Sequence, residues 1–572
     1  MRFLRNSFPV GVRFAVSTLS LCALSAWLAG CARQPSPPDA ALKEISGENL
    51  MNHIRTLASD QFEGRAPGSR GEELTVQYLE KQFREFGLKP GNPDGTYLQK
   101  VPLVEITPDV EKVKLTLSAR GKTISPKFKQ DYVQWTKRVV ESVSADGELV
   151  FAGYGAQAPE YQWDDFKGTD LKGKFIVVLI NDPPLQDEKM FGGKAMTYYG
   201  RWTYKYEKAA ELGAAGCFII HETGPAGYPW EVVSEGRSKG QFDLSTPDKN
   251  MGRAPIEGWF TWDQADRIFK AAGKNLAELK KSALSRDFKP VPLGVTAKAE
   301  IRNSLRNVDS RNVVARLEGS DPKLKSEYVI YTAHWDHFGI GTPVNGDKIY
   351  NGAIDNASGT AGLLEMAHAY THLETPPARS ILFLAVTAEE QGLLGSRYYA
   401  EHPLYPLADT VAEINTDGLN MLGKTRDIVS IGHGSSTLDK VIEDAARAQG
   451  RVVKQDPEPE KGFFYRSDHF YFAKAGVPAF SPNEGIDYVG KPEGWGMQQR
   501  DRYTAQDYHK PSDDVKADWV TDGAVQDLQL FLAVGINVAN SPQPPEWKPN
   551  AEFRAARIES LRKAGKLPAK VN

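Results

Sequence analysis

At 572 residues the chain is longer than one hydrophobic core usually fills, so two or three domains are expected. With 41% apolar and 25% charged residues its composition is that of a globular protein, which excludes a largely disordered chain. The formal charge is −3; if Arg2, Arg5 and Arg13 leave with an N-terminal segment, Lys plus Arg falls from 70 to 67 against 73 acids, and the resulting −6 argues against a nucleic-acid role.

Those three arginines precede an apolar stretch from Phe14 to Leu28, which reads as a secretory signal over residues 1–30 and not as a spanning helix. The stretch ends Leu28-Ala-Gly-Cys31, which resembles a bacterial lipobox. That resemblance implies a diacylated Cys31 as the mature first residue and a lipid anchor to the membrane. Ala32 in place of Asp favours the outer membrane, with the protein facing the periplasm or cell surface; the alternative is an ordinary cleaved signal with no lipid. Cys22 departs with the signal, so Cys217 alone remains inside the fold and no intramolecular disulfide is possible. Nothing after residue 31 is long and apolar enough to span a bilayer.

Residues 31–43, rich in proline, read as a tether. Residues 44–139 hold two helical patterns around Phe62-Glu-Gly-Arg-Ala-Pro-Gly-Ser-Arg-Gly71. Residues 140–295 are rich in short strands and glycine turns, for example Leu171-Lys-Gly-Lys-Phe-Ile-Val-Val-Leu179. Within them a Gly-Lys-apolar strand, a helix Tyr204–Leu212 and the strand Gly216-Cys-Phe-Ile-Ile220 follow in the order of a protease-associated domain, which this stretch resembles. Residues 296–545 alternate strands with helices, the pattern of a mostly parallel mixed sheet flanked by helices, so the fold class is α/β with a β-rich insertion. Residues 546–572 form a polar tail in which Phe553, Ile558 and Leu561 share one side of a short helix.

The chemistry lies at the ends of the apolar runs. His334 closes Tyr328-Val-Ile-Tyr-Thr-Ala333, and Asp355 opens Asp355-Asn-Ala-Ser-Gly359 before a helix with Leu363, Met366, Ala367 and Tyr370 on one face. Glu389 and Glu390 follow Ile381-Leu-Phe-Leu-Ala-Val386, Asp417 follows Val411-Ala-Glu-Ile-Asn-Thr416, and His509 lies in Tyr508-His-Lys-Pro-Ser-Asp513. Strand ends are where open α/β sheets place ligands. Two imidazoles with three carboxylates suffice for two zinc ions, and one glutamate remains to work a water between them. Asp355 can bridge both ions with its two oxygens. Asp336, two residues past His334, can accept the imidazole's other N–H. Successive side chains at a strand end point to opposite sides, so one of Glu389 and Glu390 ligates and the other faces the water.

In order the chain supplies His-x-Asp, Asp-Asn-x-Ser-Gly, Glu-Glu, Asp-Gly, Ser467-Asp-His-Phe-Tyr-Phe-Ala-Lys-Ala-Gly-Val-Pro478 and a late Tyr-His. This series resembles the co-catalytic di-zinc aminopeptidases, relatives of glutamate carboxypeptidase II and glutaminyl cyclase, from Glu44 to about Asn540. The resemblance implies the zinc-exopeptidase fold and hydrolysis of N-terminal residues from peptides through a metal-bridging water. It implies two Zn2+ on His334, Asp355, Glu390, Asp417 and His509, with Glu389 as general base and Tyr508 as donor to the oxyanion. Many relatives carry a second acid before the bridging aspartate, where this chain has Ile354. A carboxypeptidase or dipeptidase on the same fold would need arginines aimed at a free carboxylate, such as Arg466 or Arg500. An inactive peptide-binding protein is the alternative of another class, against which the complete ligand set argues.

Several features have plainer readings. His469 looks like a ligand in its turn, but the motif order assigns that place to His509; His337 reads as a pocket wall. His53, His221, His368, His372, His402 and His433 read as structural or surface residues. Gly418-Leu-Asn-Met-Leu-Gly-Lys-Thr425 matches the phosphate-loop spelling, but a strand pattern follows it where that loop needs a helix. The Gly-x-Ser-x-Gly elbow and the His-Glu-x-x-His helix are both absent.

Overall fold

The computed structural model describes residues 39–187 and 189–567. The signal segment, Cys31 and most of the expected tether lie outside them. The end of the tether expected over residues 31–43 runs into a helix, Asp39–Glu44, whose Ala41 is fully buried, because Ala41, Leu42 and Ile45 supply an apolar face that packs on the main core.

Two sheets build the molecule. The first runs in the order Leu98–Pro108, Asn303–Leu317, Ser380–Val386, Tyr328–His334, Thr410–Asn415 and Ala479–Asn483. Its four strands from Ser380–Val386 to Ala479–Asn483 are parallel, and antiparallel pairs complete it at either side. The strands Tyr328–His334, Ser380–Val386 and Thr410–Asn415 are buried at every position, as expected of parallel strands covered on both faces. Helices Gly359–Thr371 and Asp522–Asn540 supply much of that cover, with 11 of 13 residues of the first buried.

The second sheet contains Ser142–Phe151, Phe175–Leu179, Gly216–His221 and Ile256–Thr261 in parallel, with antiparallel partners. It carries an apolar cluster on each face, one around Phe151, Phe218 and Phe260, the other around Trp135, Ile219 and Trp259. Lys114–Ala119 and Tyr132–Trp135 also belong to it, upstream of residue 140 where sequence places the boundary. Their alternating or uniform burial depends on partners far along the chain, which no local pattern announces. The 27-residue strand Val291–Leu317 joins the sheets: residues 291–302 pair in the second and 303–317 in the first.

The tail is less peripheral than its composition implies. Helix Arg554–Lys563 forms, but Trp547 and Phe553 are buried with Tyr198, Tyr465 and Phe470, and the Trp547 indole N–H donates to the Gly476 carbonyl at 2.8 Å.

Candidate active site

The parallel strands deliver the candidate residues to one edge. His334 is the last residue of its strand, Asp417 lies two residues beyond Asn415, and the glutamates follow Val386 after Thr387 and Ala388. Strand alternation does not separate the glutamates, because they lie past the strand end. Ala388 takes a left-handed backbone, φ +53°, and the chain turns there. Glu389 then reaches toward His334 (4.0 Å), while Glu390 reaches His337 Nδ1 (2.6 Å) and His509 Nε2 (3.2 Å). His509 is also left-handed, φ +58°. Non-glycine residues held in this region concentrate at functional sites.

Asp355 is central. Its Oδ1 is 3.2 Å from His334 Nε2 and its Oδ2 is 3.2 Å from His509 Nε2. Asp417 Oδ1 stands 3.1 Å from the same nitrogen of His334. Two donor groups therefore share one aspartate: His334 with Asp417, and His509 with Glu390. His334 Nδ1 lies 3.1 Å from the backbone oxygen of Asp336, to which it donates, and Nε2 is the nitrogen turned to Asp355 and Asp417. That corrects the expected role of the Asp336 side chain. Its Oδ1 is 3.8 Å from the ring and accepts the Glu389 N–H at 3.0 Å instead, so Asp336 fixes both the imidazole and the glutamate turn.

Residues that sequence reading passed over hold this geometry. The Asp513 carboxylate accepts the N–H groups of Ile354 and Asp355 and the Tyr503 hydroxyl, at 3.0–3.1 Å. Asn356 donates to the Thr416 carbonyl and accepts from Gly359 and Gly418, tying the Asp355 loop to the Asp417 loop. Ser467 donates to Asp417 Oδ2 at 2.6 Å and accepts from Asn415. Asp513 and Ser467 stood inside quoted motifs, yet nothing in their spacing gave the partner. His337, read as a pocket wall, hydrogen-bonds Glu390 directly.

The electrostatics are unbalanced. Burial pushes the Asp336 carboxyl up to about 8 and Asp468 to about 7, and holds Glu389 well above the carboxylate range with help from Asp417 and Glu390. Burial alone would lower His334 and His509; the fields of Asp417 and Glu389 hold the first well above its ordinary value, and Glu390 and Asp355 lift the second to about 10. Arg65 lies among these carboxylates but spends its N–H groups on the carbonyls of Leu57, Trp335, Asn351 and Gly352. Asp336 Oδ2 and Asp468 Oδ2 are buried without a hydrogen-bond partner. Six buried or half-buried carboxylates facing three imidazoles are a donor set suited to divalent cations, and the His334–Asp355–Asp417 and His337–Asp355–Glu390 groups each close within 4.8 Å.

Tyr508 stacks on His509 with centroids 3.7 Å apart; burial and the fields of Asp355 and Glu390 hold its hydroxyl well above its ordinary value, so it stays a donor. His469 is fully buried against Phe464, with burial lowering its imidazole to about 3, and it joins neither donor group. Thr425 leads into the strand Asp427–Ile431, not a helix, so the phosphate-loop spelling has no loop behind it.

Residues 312–533 match the model of peptidase family M28. A probable leucine aminopeptidase 2 of Aspergillus oryzae is 30% identical over 513 residues, covering 86% of this chain and 84% of the relative. The leupeptin-inactivating enzyme 1 of Streptomyces exfoliatus is 25% identical over 239 residues, and the match spans 50% of that relative's length. Among solved structures, an aminopeptidase from Aneurinibacillus sp. strain AM-1 aligns with a TM-score of 0.49 at 19% identity, over 89% of this chain and 97% of that one. The chain belongs to peptidase family M28.

Proposed function

We propose that this chain is a zinc aminopeptidase that holds two ions and removes N-terminal residues from peptides. Asp355 carries the reading: its two oxygens face two different histidines, each accompanied by its own carboxylate. His334, Asp355 and Asp417 would hold one ion, and His509, Asp355 and Glu390 the other, with His337 steadying Glu390. Bound zinc supplies Lewis-acid polarisation of a carbonyl and acidifies water. Glu389 takes the proton of the attacking water on its carboxylate and returns it to the leaving amine. The Tyr508 hydroxyl donates to the oxygen of the scissile carbonyl. The free amine of the substrate pairs with the acidic edge formed by Glu389 and Asp417. Metal analysis of chelator-stripped protein titrated with zinc should show activity recovering in step with two equivalents at the active site; full activity with one equivalent there would refute the paired reading.

One observation favours a second reading, a dipeptidase that also grips the substrate's free carboxylate. The positive field of Arg466 reaches the Tyr508 hydroxyl, and Arg466 is exposed, whereas Arg500 already stands 3.8 Å from Glu458. Arg466→Ala raising KM for free-acid dipeptides but not for their amides would support it. The second sheet, as a protease-associated unit, would border the peptide path, and Cys31 would anchor the protein by lipid at the outer membrane. Release of Cys31→Ser from the membrane fraction tests the anchor.

A further inference from the structure

Away from the active site, on the helical side of the first sheet, Glu44, His368 and His372 each bring a ligand atom within 4.8 Å of the other two. Sequence reading gave both histidines a structural or surface role. They lie four residues apart at the end of helix Gly359–Thr371, where i and i+4 share a face, and their ring centroids are 4.5 Å apart. Glu44 comes from the end of the first helix, Asp39–Glu44.

The hydrogen bonds leave lone pairs free. His372 Nδ1 is 3.0 Å from the His368 carbonyl oxygen, so that nitrogen carries the proton and Nε2 is basic. His368 Nδ1 is buried and has no hydrogen-bond partner. Burial and the neighbouring His372 lower the His368 imidazole, keeping it in the neutral form that binds metals. His53, close by, is already engaged: its Nδ1 is 2.6 Å from the Tyr78 hydroxyl and its Nε2 faces Glu365 at 3.7 Å. A cavity of about 270 Å³, lined in part by His53, Glu365 and His368 but not by Glu44 or His372, opens on the His368 side of the group.

We propose a further metal site here, in which Glu44, His368 and His372 bind a late first-row divalent ion, zinc first among them, with water in the fourth position. Two imidazoles and a carboxylate are donors such ions accept at about 2.0–2.2 Å. His372 is exposed and Glu44 half-buried, so side-chain rotation brings the three atoms onto one ion. The ion staples the first helix to the helix that leads out of the Asp355 loop. That helix touches the active site at its other end, where Thr360 Oγ1 donates to the His334 carbonyl at 2.7 Å.

The test compares the zinc content and thermal unfolding of the full chain with those of His372→Ala and Glu44→Gln, after dialysis of each against micromolar zinc. Both variants should hold one equivalent less than the parent, keep kcat, and lose the part of the zinc-dependent rise in Tm that the parent shows. Because the readout is a difference, it does not depend on how many ions the peptidase site takes. If His372→Ala also lowers the zinc-free Tm, Glu44→Gln decides. Equal zinc content in the parent and Glu44→Gln would overturn the proposal, as would loss of kcat in Glu44→Gln along with its zinc.

Discussion

The two sheets that share the strand Val291–Leu317 treat buried charge in opposite ways. In the second sheet and the helix beside it, the buried charges of Glu257 and Lys205 have local partners. Glu257, fully buried, takes Arg253 at 2.6 Å and the Trp135 indole N–H at 3.1 Å, and Lys205 donates to the carbonyls of Tyr154, Tyr199 and Asn181. At the edge of the first sheet the carboxylates outnumber the cations and Arg65 is spent on carbonyls. Unpaired buried charge costs several kcal/mol per ion, so a fold keeps it only where something else neutralises it. The contrast separates a structural sheet from a reactive edge, and it can be attacked from either side.

The largest effect belongs to Glu389. Glu389→Gln keeps the size and the Asp336-anchored turn but cannot take a proton, so kcat should fall by about two to four orders of magnitude while zinc content barely changes. Finding the zinc lost instead would make Glu389 the ligand and reverse the roles of the pair.

Glu390→Gln should do the opposite. It removes a charge that faces His337 and His509, so zinc affinity should fall and excess zinc should restore part of the activity. His469→Ala is the control; buried outside both donor groups, it should keep the parent's zinc content in metal analysis, and loss of an ion would move the late ligand away from His509.

A smaller effect should come from the second sheet. Phe218 stacks on Phe260 with centroids 4.3 Å apart, and Phe218→Ala should cost about 3–5 kcal/mol. Because residues 291–302 and 303–317 are one continuous strand, calorimetry should show a single transition moved down, with kcat unchanged at temperatures where the variant is folded. Two transitions, only one of them moved, would mean the sheets fold independently.

How much of this was legible in the sequence follows from what was local. The parallel strands announced themselves because both faces are covered and their apolar runs are continuous, and the site residues stood at the ends of those runs. Asp336 was read as a partner of His334, but the contact runs through its carbonyl, which residue identity does not reveal. Asp513, Asn356 and Ser467 were out of reach as positioning residues, since each acts on a loop 50 to 159 positions away. The Glu389–Glu390 split was inferred from strand alternation; its physical origin is the left-handed turn at Ala388. The early strands of the second sheet were missed because their partners lie 122 to 186 residues downstream, as in Tyr132 with Phe260 and Lys114 with Glu300.

The subtlest test is pH, and it falls on two buried carboxyls beside the second sheet. Asp182 accepts the Thr197 N–H and hydroxyl, at 2.6 and 2.8 Å, and burial lifts its carboxyl to about 7. Burial lifts Asp165 to about 6. A carboxyl with a raised folded-state value binds its proton more tightly folded than unfolded, so its contribution to stability is fully present below the unfolded value of about 3.9 and is lost as pH climbs through the folded one. The contribution of these two carboxyls to the parent's Tm should therefore decline from about pH 4, between the unfolded value and the folded values of Asp165 and Asp182, and level off above about pH 7. Asp182→Asn carries no ionisable proton and should flatten the upper part of that decline, measured with zinc held saturating so that the active-site carboxylates stay neutralised. An unchanged slope in Asp182→Asn would show that the balance of the second sheet does not rest on this carboxyl.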